Sequence, residues 1–380
     1  MDIDAPAALL GGLSPAAFMR RHWHKKPLLV RQAGADLLPP VSRAELFRLA
    51  QGDDVESRLV VRTGQGRKAD WSLQRGPLAR RRLPPIAQPG WTLLVQGLDL
   101  HVPAAHELLT RFRFVPQARL DDLMVSWASD GGGVGPHFDS YDVFLLQVQG
   151  RRRWRLAPLR PGHEVRLRPD LPLKILADFE PEEEHVLEPG DLLYLPPRWA
   201  HDGVAIGECM TCSVGFRAPA QGELVREVLA RLADEAEPAD ALYRDPRQPA
   251  TTTPGAIPAE LGAFARDAVM RAVARPGALD QALGEYLSEP KAQVWFVPGP
   301  PLAAQAGVRL DPRTCMLYDE VHVFINGESW RAAGRDAAIL RRLADQRYLP
   351  SQALRRAGGT LREALAQWAR LGWLMEWQDE

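Results

Sequence analysis

The chain has 380 residues, 46% of them hydrophobic and 25% charged, with a formal net charge of −1. That length implies two or three domains with sizeable cores, and the near-neutral charge argues against a protein that coats nucleic acid. The three cysteines, Cys209, Cys212 and Cys315, give no disulfide framework and fit a reducing compartment.

The start, Met1-Asp2-Ile3-Asp4, lacks a signal-peptide pattern, and no apolar run approaches the ~20 residues of a membrane span. A cytoplasmic protein without membrane contact is expected. Ser14-Pro15 reads as a helix start, a hydroxyl cap followed by proline at the first helical position. Ser42-Arg43-Ala44-Glu45 reads as a capping box, with Gly52 placed to end that helix. β-Rich runs follow at 59–62 and 91–95. From about 120 to 218, short strands at 123–127, 143–148, 153–156 and 191–195 without long helices between them point to a sandwich or jelly-roll. Gln149-Gly150 reads as a hairpin turn joining two of these strands, and Gly131-Gly132-Gly133 as a flexible entry. Beyond 220, Leu224, Val225, Val228, Leu229 and Leu232 recur at helical spacing, as do Leu279, Leu283, Tyr286 and Leu287. A proline-rich stretch at 238–258 separates these helices, and Pro298-Gly299-Pro300-Pro301 marks a second boundary. A strand at 321–325, an Asn326-Gly327 turn and short helices ending in Trp368, Leu371, Trp373 and Leu374 follow in the order of a winged-helix module. The domains are therefore expected at 1–220, 221–292 and 293–380.

His137-Phe138-Asp139 and the distant His201 carry the strongest chemical signal. Residues i and i+2 of a strand share a face, so His137 and Asp139 could approach one metal together. His201 follows a Glu188-Pro189-Gly190-Asp191 turn, an apolar strand and Pro196-Pro197, which fix its setting. Two imidazoles and a carboxylate with open positions opposite are the ligand set of non-haem Fe(II) oxygenases; zinc is the rival metal. Cys209 and Cys212 have no second cysteine pair, and an i, i+3 pair on a strand faces opposite sides, so both read as core thiols. His22 and His24 flank Trp23, while His101, His106, His163, His185 and His322 read as surface or packing residues. In Arg151-Arg152-Arg153, alternation lets one arginine point inward, where a guanidinium pairs bidentately with a carboxylate such as that of 2-oxoglutarate. A solvated basic turn is the plainer reading of that run. Asp122 is either a solvated strand-end acid or a buried partner for a cationic substrate side chain.

The segments 131–144 (GGGVGPHFDSYDVF), 150–155 (GRRRWR), 188–197 (EPGDLLYLPP) and 213–219 (SVGFRAP) closely resemble the bacterial JmjC-type ribosomal oxygenases. The likeness begins at 20–27 (RRHWHKKP), runs through Asp121-Asp122-Leu123-Met124 and covers the first 220 residues. It implies an α+β fold: a double-stranded β-helix (jelly-roll, cupin/JmjC) core, a helical dimerisation region and a winged-helix-like end. It also implies Fe(II) held by His137, Asp139 and His201, with 2-oxoglutarate and O2 as co-substrates and Arg152 on the distal carboxylate of the keto acid. The implied reaction is hydroxylation at the β-carbon of an arginine in large-subunit ribosomal protein sixteen by a homodimer. Asp122, Met124, Tyr141 and Ser213 match substrate-contacting positions. Ala128 stands where relatives carry a hydroxyl near the co-substrate, and Ser126 on the same strand face is the candidate replacement.

Two other readings compete. The same chemistry could act on a ribosomal histidine or a lysine. Alternatively, a sensing barrel joined to a DNA-reading winged helix would make a transcriptional regulator. Residues 331–380 hold nine arginines against six acidic residues, a slight excess that leaves nucleic-acid contact open.

Overall fold

Ser14 accepts the backbone N–H of Ala17 and caps helix α1 (Pro15–Arg21), with Pro15 in its first turn as the sequence predicts. Ser42 accepts the N–H of Glu45 at the head of α2 (Arg43–Leu49), but the Glu45 carboxylate turns to Arg48 instead of completing the box. That helix ends at Leu49, short of Gly52. The computed structural model describes residues 2–34, 38–64, 69–160, 162, 164–234, 242–303 and 306–378. His163 and the opening of the proline-rich stretch, up to residue 241, lie outside the described residues. The chain divides into two compact units, Met1–Ala218 and Pro219–Glu380.

The first unit is a double-stranded β-helix. Its strands are β1 (Leu28–Val30), β2 (Ser57–Thr63), β3 (Asp70–Arg75), β4 (Trp91–Val95), β5 (Leu120–Ala128), β6 (Val143–Pro158), β7 (Glu183–Leu187), β8 (Leu192–Leu195) and β9 (Trp199–Phe216). They pair in the order β1-β8-β6-β9-β5-β4-β2-β3, with β7 added along β6. Side-chain alternation gives this sheet two different faces. Leu59, Leu93, Val125, Phe144 and Val214 point to one side, where Phe18, Leu46, Phe47 and Leu108 from α1, α2 and α3 (Pro103–Thr110) close the main core. Burying those large apolar side chains stabilises the unit by roughly 1.5–3 kcal/mol each. The other side carries Leu145, Trp154, Leu156 and Leu193.

Gln149-Gly150 is not a hairpin turn. Strand β6 runs unbroken from Val143 to Pro158, so the expected strands at 143–148 and 153–156 are one. Its pairing with β9 shifts register on both sides of Gln149, and Gly150 adopts φ 63°. The bulge exchanges the two faces of the strand. Before it, Val143 and Leu145 lie in the inner cluster and Phe144, Leu146 and Val148 in the main core. After it, the even-numbered Trp154 and Leu156 join the inner cluster. Arg152 therefore faces inward, whereas an uninterrupted strand would turn it toward the helices. A Cβ on Gly150 would stand 2.1 Å from the Glu208 carbonyl oxygen, in addition to the cost of its positive φ. Gly150→Ala is expected to destabilise the unit by about 2–3 kcal/mol, read as a lower urea midpoint.

In the second unit, α4 (Gln221–Asp234), α5 (Ala259–Ala274) and α6 (Ala278–Ser288) precede two three-stranded sheets. The five-residue pattern predicted for α4 resolves into one buried side chain, Leu232; Val225 and Leu229 are exposed. The sheets are β14-β10-β15, from Tyr348–Leu349, Gly307–Leu310 and Leu374–Trp377, and β11-β12-β13, from Met316–Tyr318, His322–Ile325 and Glu328–Arg331. Helices α7 (Gly334–Gln346) and α9 (Gly359–Arg370), on either side of the short α8 (Ser351–Leu354), bury Leu340, Leu343, Leu361, Leu365 and Trp368 in a second core. Asn326 and Gly327 form the expected tight turn, both with positive φ. Leu374 opens a strand instead of closing a helix. Among the described residues no helix is long and apolar enough to cross a membrane.

Candidate metal centre and substrate pocket

His137 and Asp139 do not lie in a regular strand. A single bridge holds the segment: His137 and His201 exchange backbone hydrogen bonds of 3.0 and 2.7 Å. The Asp139 carbonyl then accepts the N–H of Arg198. Of the glycines expected to form a flexible entry, Gly132 and Gly133 are packed tightly, while Gly131 has open space beside it. A Cβ on Gly133 would stand 2.6 Å from the Gly203 carbonyl oxygen, so only glycine admits this approach of β9. The side-chain ligand atoms of His137, Asp139 and His201 all lie within 4.8 Å of one another. Asp139 Oδ2 is 3.7 Å from His201 Nε2. No other such histidine, cysteine or acidic trio occurs among the described residues.

The hydrogen bonds around the imidazoles suit a metal. His137 Nδ1 lies 2.9 Å from the Gly135 carbonyl oxygen and His201 Nδ1 lies 2.9 Å from that of Trp199. A carbonyl only accepts, so each Nδ1 carries the proton, and each Nε2 keeps its lone pair for a cation. Burial, then the neighbouring His137, lowers the His201 imidazole to about 4, against the pull of Asp139. The unfolded chain binds this proton near pH 6.5 and the folded chain near 4, so the contribution to stability is full above 6.5 and is lost as pH falls toward 4. Metal-free protein should lose stability across that window and His201→Ala should flatten the loss, as urea midpoints at neutral and mildly acidic pH would show.

Arg152 is buried, 5% exposed, on the inner face of β6. Its Nη1 donates to Ser126 Oγ at 3.1 Å, while Nε and Nη2 have no partner among the described residues. These two N–H groups form one edge of the guanidinium, the edge that meets a carboxylate in two parallel bonds. A buried cation with its carboxylate-binding edge unsatisfied is costly, and a bound dicarboxylate would supply the missing charge and acceptors. Trp154 lies two residues on, its ring 5.8 Å from the Arg152 guanidinium and 5.8 Å from the His201 ring. Its indole Nε1 is also buried without a partner among the described residues. Ser126 Oγ, the candidate co-substrate contact, accepts from Arg152 and donates to the Thr211 carbonyl oxygen at 3.4 Å. Ala128 is opposite Thr92 on β4, whose buried Oγ1 has no partner among the described residues. Sequence reading missed Thr92 and Trp154, because only cross-strand register brings the first to Ala128 and only the bulge turns the second inward.

The predicted substrate positions lie on β5, on β9 and in the segment after Asp139. Asp122 is buried and its Oδ2 accepts the N–H of Gly97 at 2.8 Å. Met124 and Ser213 are cross-strand partners on β5 and β9. Tyr141 is 39% exposed. Burial, then the adjacent carboxylates of Asp139 and Asp122, pushes its phenol pKa well up, so the group remains an O–H donor. The thiols are packing residues: Cys209 lies with Ala128 and Ala205, and Cys212 lies in the main core.

The profile of the JmjC domain matches residues 107–224, and that of the ROXA-like winged helix matches residues 270–375. Ribosomal protein uL16 3-hydroxylase of Escherichia coli is 35% identical over 292 residues, 75% of this chain and 74% of that protein. A probable ribosomal oxygenase of Haemophilus influenzae is 36% identical over 214 residues, 56% of this chain and 52% of that protein. The structure of YcfD from E. coli superposes with a TM-score of 0.80 at 30% identity, over 95% of this chain and 97% of that one. YcfD, a ribosomal oxygenase, in complex with cobalt and 2-oxoglutarate gives a TM-score of 0.77 at 30% identity, over 96% of this chain and 98% of that one.

Proposed function

The chain belongs to the JmjC-type ribosomal oxygenases, and from that premise we propose that it is an Fe(II)- and 2-oxoglutarate-dependent hydroxylase of a large-subunit ribosomal protein. Its reaction in this reading adds a hydroxyl to the β-carbon (C3) of an arginine in ribosomal protein sixteen. The observation that carries the proposal is the convergence, inside one β-helix, of a two-histidine, one-carboxylate trio with an inward arginine whose carboxylate-binding edge is free. His137, Asp139 and His201 hold the iron, and Arg152, oriented by Ser126, holds the distal carboxylate of the keto acid. When bound, iron, 2-oxoglutarate and O2 supply the oxidation: the keto acid leaves as succinate and CO2, and one oxygen atom enters the substrate C–H bond.

The protein contributes position and charge. Asp122 offers a carboxylate to the substrate guanidinium, Tyr141 an O–H donor, and Met124 and Ser213 complete the wall beside them. Fixing the guanidinium in this way sets which C–H bond faces the metal. Helices within 221–292 serve a homodimer in this reading. It is supported by the exposure of Val225, Leu229, Leu261, Val269 and Met270, apolar side chains that a lone chain leaves in water. Mass spectrometry of ribosomal proteins incubated with enzyme, Fe(II) and 2-oxoglutarate tests the proposal. A gain of one oxygen atom on a single arginine, dependent on the keto acid, is the expected result. A gain on histidine or lysine would redirect the substrate assignment, and no gain on any ribosomal protein would overturn it.

A further inference from the structure

The segment 20–27, singled out in the sequence, supplies no ligand to the metal trio and no contact to Arg152. The structure gives it a different place. Asp142 follows Tyr141 directly and is 0% exposed. Its Oδ1 accepts the phenol O–H of Tyr194 at 2.5 Å, and its Oδ2 lies 2.9 Å from His24 Nε2 and 3.9 Å from an Arg119 nitrogen. His24, in turn, donates its backbone N–H to the Tyr194 oxygen at 3.0 Å, from a backbone with φ 56°. Trp23 stacks on Tyr194 with ring centres 6.1 Å apart, and Arg119 lies over Trp23. Burial acts to raise the Asp142 carboxyl, and the contacts from Tyr194, His24 and Arg119 oppose it.

This clasp closes on an irregular segment. Residues 138–142 belong to no strand; the Arg198 N–H on the Asp139 carbonyl holds one end and the contacts of the Asp142 carboxylate hold the other. Tyr141 lies between, half exposed, with its phenol toward the Asp139 carboxylate, and its backbone is anchored on the far side by Asp142. Of the groups on that carboxylate, Tyr194 is locked in the core, and the His24 side chain is 45% exposed on a positive-φ turn. Such a turn is costly for a non-glycine residue unless its side chain makes a compensating contact.

We propose that His24, acting through Asp142, is a positioning residue for Tyr141 and so for the protein substrate. This rests on the functional reading above. His24 touches neither the metal trio nor Arg152, so its loss should alter substrate capture while the co-substrate site stays intact.

The test compares wild type, His24→Ala and His24→Gln, the last keeping a polar side chain within reach of Asp142. Three quantities are read: KM for the ribosomal protein substrate, 2-oxoglutarate affinity of the Co(II)-loaded protein by calorimetry, and the thermal midpoint. The expected result for His24→Ala is a rise in substrate KM of about 5- to 20-fold, with 2-oxoglutarate affinity within twofold of wild type and substantial recovery in His24→Gln. An unchanged KM would overturn the inference. So would a parallel loss of 2-oxoglutarate affinity and thermal stability, which marks a merely structural contact. Wild-type protein that binds 2-oxoglutarate yet hydroxylates no ribosomal protein would overturn the functional reading and this inference with it.

Discussion

Arg152→Met should weaken 2-oxoglutarate binding by about 10²- to 10³-fold while leaving metal affinity within a factor of two. The magnitude is that of removing one member of a buried, hydrogen-bonded charge pair, roughly 3–4 kcal/mol. The same substitution should stabilise the protein in the absence of co-substrate. There the guanidinium is a buried cation held by Ser126 and the Trp154 ring alone among the described residues, and an apolar side chain of similar length avoids its desolvation. Opposite signs for ligand affinity and apo stability distinguish a binding arginine from one that supports the barrel. Arg152→Lys should recover little affinity, because an ammonium cannot present two parallel donors. Calorimetric titration of Co(II)-loaded protein with 2-oxoglutarate, run beside thermal unfolding, reads both effects. A variant that bound the keto acid as wild type does would remove Arg152 from the site.

The second large effect is expected at Asp122. Asp122→Asn keeps an oxygen for the Gly97 N–H but removes the charge that would face a substrate guanidinium. The kcat/KM for the ribosomal substrate should fall by about 10- to 100-fold, with 2-oxoglutarate affinity unchanged. A neutral residue hydroxylated equally well by both forms would show that the pocket does not select a cation. The clasp at His24 should be milder because it acts at one remove, through the direction of Tyr141.

Much of this site was legible in the sequence because its signals are local. The His137-Phe138-Asp139 spacing, the turn-strand-proline frame before His201 and the arginine run each lie within a short window. Short strands and turn residues pointed to a sandwich or jelly-roll, and the family resemblance narrowed that to the double-stranded β-helix. What stayed hidden depends on register. Gly150 looked like a hairpin turn because glycine serves tight turns and bulges alike; only pairing with a distant strand tells them apart. That bulge selects Arg152 for the interior and turns Trp154 with it. The Thr92 hydroxyl, without a partner among the described residues, could not be read either, since its relation to Ala128 is cross-strand. His24 and Asp142 are far apart in sequence, and nothing local announces their contact. Gly52 and Leu374 were misplaced for the ordinary reason that helix ends answer to tertiary packing as much as to capping residues.

His137, Asp139 and His201 converge from distant parts of the chain, and anaerobic Fe(II) titration addresses that convergence most directly. Wild-type protein should bind one ferrous ion per chain, and His137→Ala, Asp139→Ala and His201→Ala should each lose that binding while retaining wild-type far-UV circular dichroism. Ferrous binding of undiminished affinity in all three variants would place the metal elsewhere and contradict the account at its base.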